Sequence, residues 1–294
     1  MRSSASVVLG SLVCALSLVA CGPGDRGGGG VGGNTDGGGS GSGSGNGAGC
    51  SDASKLVYVV DMSNKFSQFN PMTKSFTDLG TLSCPTLLGG NPFSMGLDRN
   101  TIAWVLYDSG ELFRVDVLNS LACTKTTWSS LSLLEFGMGF STDTVGGTTD
   151  SLFVAGGLSV SSGTTSTLAK LDTSAFTSTN VGTVSGNPEL TGNGNAELWG
   201  FFPDTSAPRI DKINKTSGSA LTTYQLPTLA GMPMAWAFAF WGGDYWVFLM
   251  KDSETSTTVY QVDGSNGNIK GSTPTGSRVI VGAGVSTCAP VVIQ

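Results

Sequence analysis

Of the 21 acidic residues in the chain, Glu135, Glu189, Asp98 and Asp244 are the candidates for chemistry, because each falls at the end of a short apolar segment. Two carboxylates about 5–9.5 Å apart can cleave a glycosidic bond, one as general acid and the other as base or nucleophile. The chain has no histidine. That excludes Ser-His-Asp and Cys-His nucleophile pairs, His-ligated zinc and His-ligated haem. Two further segments, Asp143–Asp150 and Asp263–Asn268, are rich in oxygen ligands but lack EF-hand spacing, and Asp, Asn and Gly are ordinary turn formers. No metal and no other cofactor is expected. A last candidate is a binding surface. Trp241 and Tyr245 flank the turn Gly242-Gly243-Asp244, and an aromatic reaching solvent beside Asp244 could stack on a sugar or anchor a partner. The remaining aromatics between Trp236 and Phe248 alternate as core residues do.

The elements that would position these residues repeat along the chain. Five segments share the pattern apolar–x–[Gln/Arg/Lys]–apolar–[Asp/Asn]: Phe66–Asn70, Leu112–Asp116, Leu168–Asp172, Ile210–Asn214 and Val259–Asp263. Their Asx positions are separated by 46, 56, 42 and 49 residues, a period that defines a repeat array. An Asp or Asn there fits the start of a turn, since its side chain can accept a bond from the backbone two residues on. Each copy follows an apolar strand, over 56–61, 102–107, 152–156, 198–202 and 245–250, and precedes a strand rich in Thr and Ser. Four groups begin with a further short strand in which small residues alternate, as in Phe136-Gly137-Met138-Gly139-Phe140 and Trp236-Ala237-Phe238-Ala239-Phe240. The first group lacks one. A matching strand, Ile280-Val281-Gly282-Ala283-Gly284-Val285, stands alone at the C-terminus.

That displaced strand predicts an all-β, five-bladed β-propeller over residues 51–294. The C-terminal strand would supply the inner strand of the first blade and close the ring. Small residues on the inner strands suit a narrow central channel. Glu135 and Glu189 would precede inner strands, and Asp98 and Asp244 would lie in the inner hairpin turns. Because some five-bladed propellers are glycosidases with acids at the channel entrance, a carboxylate-dependent, polysaccharide-acting enzyme is the alternative reading. Ring closure protects sheet edges, so a monomer is expected.

Six cysteines remain to be placed. Cys14 would leave with a signal peptide and Cys21 would carry a lipid, so Cys50, Cys84, Cys123 and Cys288 can form two disulfides in an oxidising compartment. Cys288 follows the closing strand and Cys50 precedes the next strand of the same blade, which favours Cys50–Cys288 and leaves Cys84–Cys123. A zinc–cysteine cluster is disfavoured, there being no C-x-x-C pair.

The N-terminus is an address. Arg2 precedes an apolar run from Val7 to Ala20, too short to span a bilayer but of signal-peptide length. Leu18-Val19-Ala20-Cys21 resembles the bacterial lipobox, which predicts a signal peptide over 1–20 and lipidation of Cys21. Sixteen of the 28 residues from Gly22 to Gly49 are glycine, so 21–50 reads as a flexible, disordered tether. Gly22 rather than Asp after Cys21 resembles the sorting pattern of outer-membrane lipoproteins in Gram-negative bacteria. The lipobox, the glycine tether and the segments Phe136–Phe140, Trp199–Phe202, Trp236–Asp244 and Val281–Pro290 together resemble uncharacterised bacterial β-propeller lipoproteins. The resemblance covers the mature domain and implies the fold and the anchor but no activity.

Composition narrows the partners. Of 294 residues only 12% are charged, the formal charge is −6 and the pI is about 4.6. A phosphate-tracking nucleic-acid binder needs a basic footprint, so nucleic acid is excluded as a partner. The function expected is a lipid-anchored envelope protein whose propeller acts as a binding or scaffold module for a protein or glycan.

Overall fold

The computed structural model describes residues 49–159 and 165–293. The signal peptide, Cys21 and nearly all of the tether lie outside the described residues. Among the described residues, twenty strands form five four-stranded antiparallel sheets. Blade 1 combines β1 (Val57–Asp61), β2 (Lys65–Asn70) and β3 (Ser75–Thr81) with the last strand of the chain, β20 (Ile280–Val285), as its innermost member. Blade 2 runs outward through β4 (Pro92–Leu97), β5 (Ile102–Tyr107), β6 (Leu112–Asp116) and β7 (Ala122–Lys125). Blade 3 is β8 (Glu135–Thr142), β9 (Asp150–Gly157), β10 (Thr165–Leu171) and β11 (Ser178–Ser185). Blade 4 is β12 (Glu189–Gly192), β13 (Leu198–Phe202), β14 (Arg209–Ile213) and β15 (Ala220–Gln225). Blade 5 is β16 (Pro233–Trp241), β17 (Asp244–Lys251), β18 (Thr258–Asp263) and β19 (Ile269–Pro274). The chain is therefore a five-bladed β-propeller closed by its C-terminal strand, with Val57–Asp61 paired antiparallel to Ile280–Val285.

Apolar alternation makes the ring. Five buried clusters occupy the five seams between neighbouring blades. Along β17, Tyr245, Val247 and Leu249 pack towards blade 4, whereas Trp246 and Phe248 pack towards blade 1. Successive strand residues point to opposite faces, so one strand feeds two seams. All elements, both disulfides and all five clusters fall within residues 50–293, which carry a complete core of their own.

The inner strands run side by side in one direction. Gly137 lies against Pro188 and Glu189, Gly139 against Leu190 and Thr191, and Gly192 against Phe140 and Ser141. A Cβ on Gly137 would stand 2.1 Å from the Pro188 carbonyl oxygen, so glycine is what lets two blade backbones approach this closely. Inner strands begin at one end of the ring, its leading end, and finish at the other, its trailing end.

The repeated pattern has a structural cause at each position. Its apolar residues enter the seams. Its Asx residue caps the turn into the outer strand in every blade: Asn70, Asp116, Asp172, Asn214 and Asp263 each accept a bond from the backbone N–H two residues on, at 2.8–3.1 Å. Its Gln, Arg or Lys stands directly across the sheet from an aromatic residue: Tyr58↔Gln68, Trp104↔Arg114, Phe153↔Lys170, Trp199↔Lys212 and Trp246↔Gln261. Where that residue is cationic, its charge lies 5.4–5.7 Å from the ring centroid, within cation–π range.

Closure seals the centre of the ring but leaves each blade an outer edge. In blades 1, 3, 4 and 5 the pairing of the outer strand shifts register, inserting Leu79, Val181, Leu221 and Lys270 respectively. Such bulges twist an edge and hinder pairing with another sheet.

Candidate functional site

The four carboxylates divide between the two ends of the ring. Asp98 sits in the hairpin between β4 and β5 and Asp244 is the first residue of β17, both at the trailing end. Glu135 and Glu189 begin β8 and β12, at the leading end.

At the trailing end both acids are occupied by turn and strand chemistry. Asp98 Oδ1 accepts the backbone N–H groups of Asn100 and Ile102 at 2.8 and 3.0 Å, and Oδ2 accepts the Trp104 indole N–H at 3.3 Å. Burial raises the Asp98 pKa above the usual carboxylate value, against the pull of those donors. Asp244 accepts Lys270 Nζ at 2.7 Å and Gln261 Nε2 at 2.6 Å and is 4% exposed. Lys270 is the bulge residue of β19, so the irregular edge aims the ammonium inward at Asp244.

The expected aromatic binding surface at Trp241 and Tyr245 is not there. Tyr245 is 1% exposed and contacts Trp199, Phe238 and Phe240, because its register in β17 turns it into the seam with blade 4. Trp241 is half-buried on the seam with blade 1, and its indole N–H donates to the Lys55 carbonyl at 2.9 Å. With Asp244 also buried, Trp241 alone of the three reaches the chain start, while Asp244 and Tyr245 are held within blade 5 and its seam with blade 4.

At the leading end, Glu189 enters the channel. Its Oε2 accepts the Ser94 hydroxyl at 2.9 Å, which joins blade 4 to blade 2, and its carboxylate also takes the backbone N–H of Met138 on the intervening inner strand. The inner strand of a propeller has no neighbour on its channel side, and these bonds satisfy one such open edge. Thr191, two residues on, does the same for the Phe240 N–H at 3.1 Å. Burial holds the Glu189 pKa well above the ordinary carboxylate value. Glu135 is half-buried at the start of the adjacent strand. Both glutamates begin inner strands at the leading end, but Glu189 is 2% exposed, which withholds it from a polysaccharide.

The oxygen-rich segments serve as turns. Asp263 Oδ1 accepts the Ser265 N–H and hydroxyl, and Asp143 Oδ1 accepts the Ser151 hydroxyl. Asp150 Oδ2 binds Arg99 Nε at 2.9 Å and the Thr287 hydroxyl at 2.7 Å. Among the described residues no group of three or more Cys, Asp or Glu is arranged to hold a metal ion.

The disulfides are Cys50–Cys288 and Cys84–Cys123. The first ties the start of the domain to the residues just after β20, at the trailing end, where Arg99 also reaches Cys50 Sγ at 3.6 Å. The second ties the loop before β4 to Cys123 of the outer strand β7.

Sequence reasoning passed over Ser94 and Glu111. Ser94 is 95 residues from Glu189, and only the ring brings them together. Glu111, 5% exposed, accepts Ser109 Oγ, Lys125 Nζ and the N–H groups of Leu87 and Leu88. Burial alone would raise its pKa, but Lys125 and the other donors bring it below the usual value.

Fold and geometry define the class: a disulfide-closed five-bladed β-propeller, a fold that can serve as a binding or scaffold module. No protein-family profile and no curated protein matches the chain. Among solved structures, a chain of a nidogen/laminin complex is similar at 10% identity and a TM-score of 0.47, over 78% of this chain and 97% of that one. A luciferin-regenerating enzyme is similar at 14% identity and a TM-score of 0.44, over 78% and 94%.

Proposed function

We propose that the protein is exported, lipidated on Cys21 and held at the cell envelope, where its propeller acts as a binding or scaffold module for a protein or glycan. The observation that carries this reading is the sequence Leu18-Val19-Ala20-Cys21 at the end of an apolar run, followed by a glycine tract that leads into a disulfide-closed domain. Two disulfides fit an exported protein. The sorting residue Gly22 supports the outer membrane of a Gram-negative bacterium, and the bulged outer edges support a monomer.

The test is made in cells on the tagged full-length chain beside Cys21→Ser. Mass spectrometry of the N-terminal peptide is expected to show an acylated Cys21 as the first residue, and Cys21→Ser is expected to leave the membrane fraction. Cross-linking should retain an envelope partner that soluble propeller competes away. An unmodified Cys21 in the membrane fraction would refute the anchor, and a cross-linking pattern unchanged by competitor would refute recognition by the propeller.

A further inference from the structure

Exposed leucines gather at the leading end of blades 2 and 3, on loops that the fold holds rigidly. Leu87 and Leu88 are 79% and 74% exposed, and Leu131 is 94% exposed. Leu134 and Leu158 are also exposed. The loop of Leu87 and Leu88 is fastened at its base by the Cys84–Cys123 disulfide and at its tip by Glu111, which accepts the two leucines' own N–H groups at 3.1 and 3.4 Å. Thr86 N–H donates to the Cys84 carbonyl, and Asn91 N–H to Asp108 at the margin of the loop. The next loop is braced by Ser130 Oγ, which accepts the N–H groups of Ser132 and Leu133, while Leu133 is buried beneath it.

The two loops form one surface. A Cβ on Gly110, next to Glu111, would lie 3.0 Å from Leu134 Cδ2, and Leu134 N–H donates to the Gly157 carbonyl beside Leu158. Leucines kept in water on braced loops are neither core nor slack chain. Contiguous apolar exposure of this kind marks an interaction site.

We propose that this leading-end leucine surface docks on a lipid bilayer. Its composition selects the occupant. The leucine-bearing loops, residues 82–92, 126–134 and 157–159, contain no charged side chain, as a surface entering hydrocarbon requires; on the hairpin between them Glu111 is buried and paired with Lys125, and Asp108 at the margin accepts the Asn91 N–H. Hot spots for protein partners are enriched in Trp, Tyr and Arg, with Leu under-represented, and the one tryptophan of these loops, Trp128, is 6% exposed. Removal of Arg2 with the signal shifts the formal charge from −6 to −7, which favours a zwitterionic over an anionic surface.

The length of chain ahead of the domain allows the contact. The tether joins at Cys50, at the trailing end, but its 28 residues from Gly22 to Gly49 span up to about 95 Å when extended, against roughly 20 Å for a six-residue strand. A lipid on Cys21 therefore leaves the leading end free to lie on the same bilayer, where a single anchor gains a second, reversible attachment. Contact with the same bilayer rests on the lipidation proposed above; the leucine surface itself does not.

The experiment uses unlipidated chain 22–294, which contains the whole core, floated with phosphatidylcholine vesicles with and without phosphatidylglycerol. The chain is expected to float with phosphatidylcholine and less well when phosphatidylglycerol is added. Leu87→Ser/Leu88→Ser and Leu131→Ser should each lower partitioning about tenfold or more, with melting temperature unchanged because all three side chains face water. No flotation, or flotation indifferent to the substitutions, overturns the proposal. So does leucine-dependent dimerisation in sedimentation without vesicle binding, which would assign the surface to a second copy. Since this chain bears no lipid, either result leaves the test of Cys21 independent.

Discussion

Glu189 is a buried acid with two donors and no cation among its bonding partners, and burial outweighs the donors in setting its pKa. The folded protein consequently holds this proton more tightly than the unfolded chain, whose glutamate titrates near about pH 4.3. The stability it contributes is complete below that pH and is lost as pH rises towards the folded value, with a slope of up to about 1.4 kcal/mol per pH unit. Other acids work in a separate window. Asp172 and Asp263 are held at about 2 by their turn donors, so what they contribute is present at neutral pH and is lost only as pH falls below about 4. Urea unfolding between about pH 4.5 and pH 7 should therefore show declining stability in the wild type and a flatter profile in Glu189→Gln. Parallel profiles would mean that Glu189 stays ionised in the channel and that another group supplies its counter-charge.

At the scale of strands, the glycines of β8 set how closely blades 3 and 4 approach. Gly137→Ala places a methyl 2.1 Å from a backbone oxygen that cannot move without moving β12, whereas a Cβ on Gly157 meets nothing within 4 Å. Gly137→Ala should cost about 1–3 kcal/mol or more, as overpacking does, and Gly157→Ala should be close to neutral. Equal melting temperatures for the two variants would show that the inner strands adjust freely. Much of this level was legible in the sequence because its causes are local. Alternating glycine and apolar residues marked the inner strands, Asx after each repeat marked the turn, and Ile280–Val285 without a group of its own marked the closure. Pairings set by the ring were not legible. The aromatic opposite each Gln, Arg or Lys is fixed by register between strands, and Ser94 meets Glu189 only after three blades have formed. Tyr245 misled for a related reason: proximity to a glycine turn suggested solvent, but in a two-residue period one step decides which seam a side chain enters.

For the whole molecule, closure rests on two bonds of different kinds between the chain ends. The five-residue pairing of β1 with β20 joins them by strand hydrogen bonds, and Cys50–Cys288 joins them covalently just beyond that pairing. The closing disulfide spans 238 residues and Cys84–Cys123 spans 39. If a disulfide acts chiefly by restricting the unfolded chain, the longer loop contributes more, about 5.5 against about 4 kcal/mol. Their removal should also differ in kind. Cys50→Ser/Cys288→Ser frees the first and last strands to part, opening the seams that blade 1 makes with blades 2 and 5 and so weakening the ring as a whole. Cys84→Ser/Cys123→Ser releases the base of the Leu87–Leu88 loop while the ring stays closed, so it should reduce vesicle binding with the smaller loss of stability. Equilibrium urea unfolding and flotation of the two double variants, measured side by side, test both halves of the argument. A larger stability loss from Cys84→Ser/Cys123→Ser would show that packing in the seams, and not the covalent clasp, keeps this propeller closed.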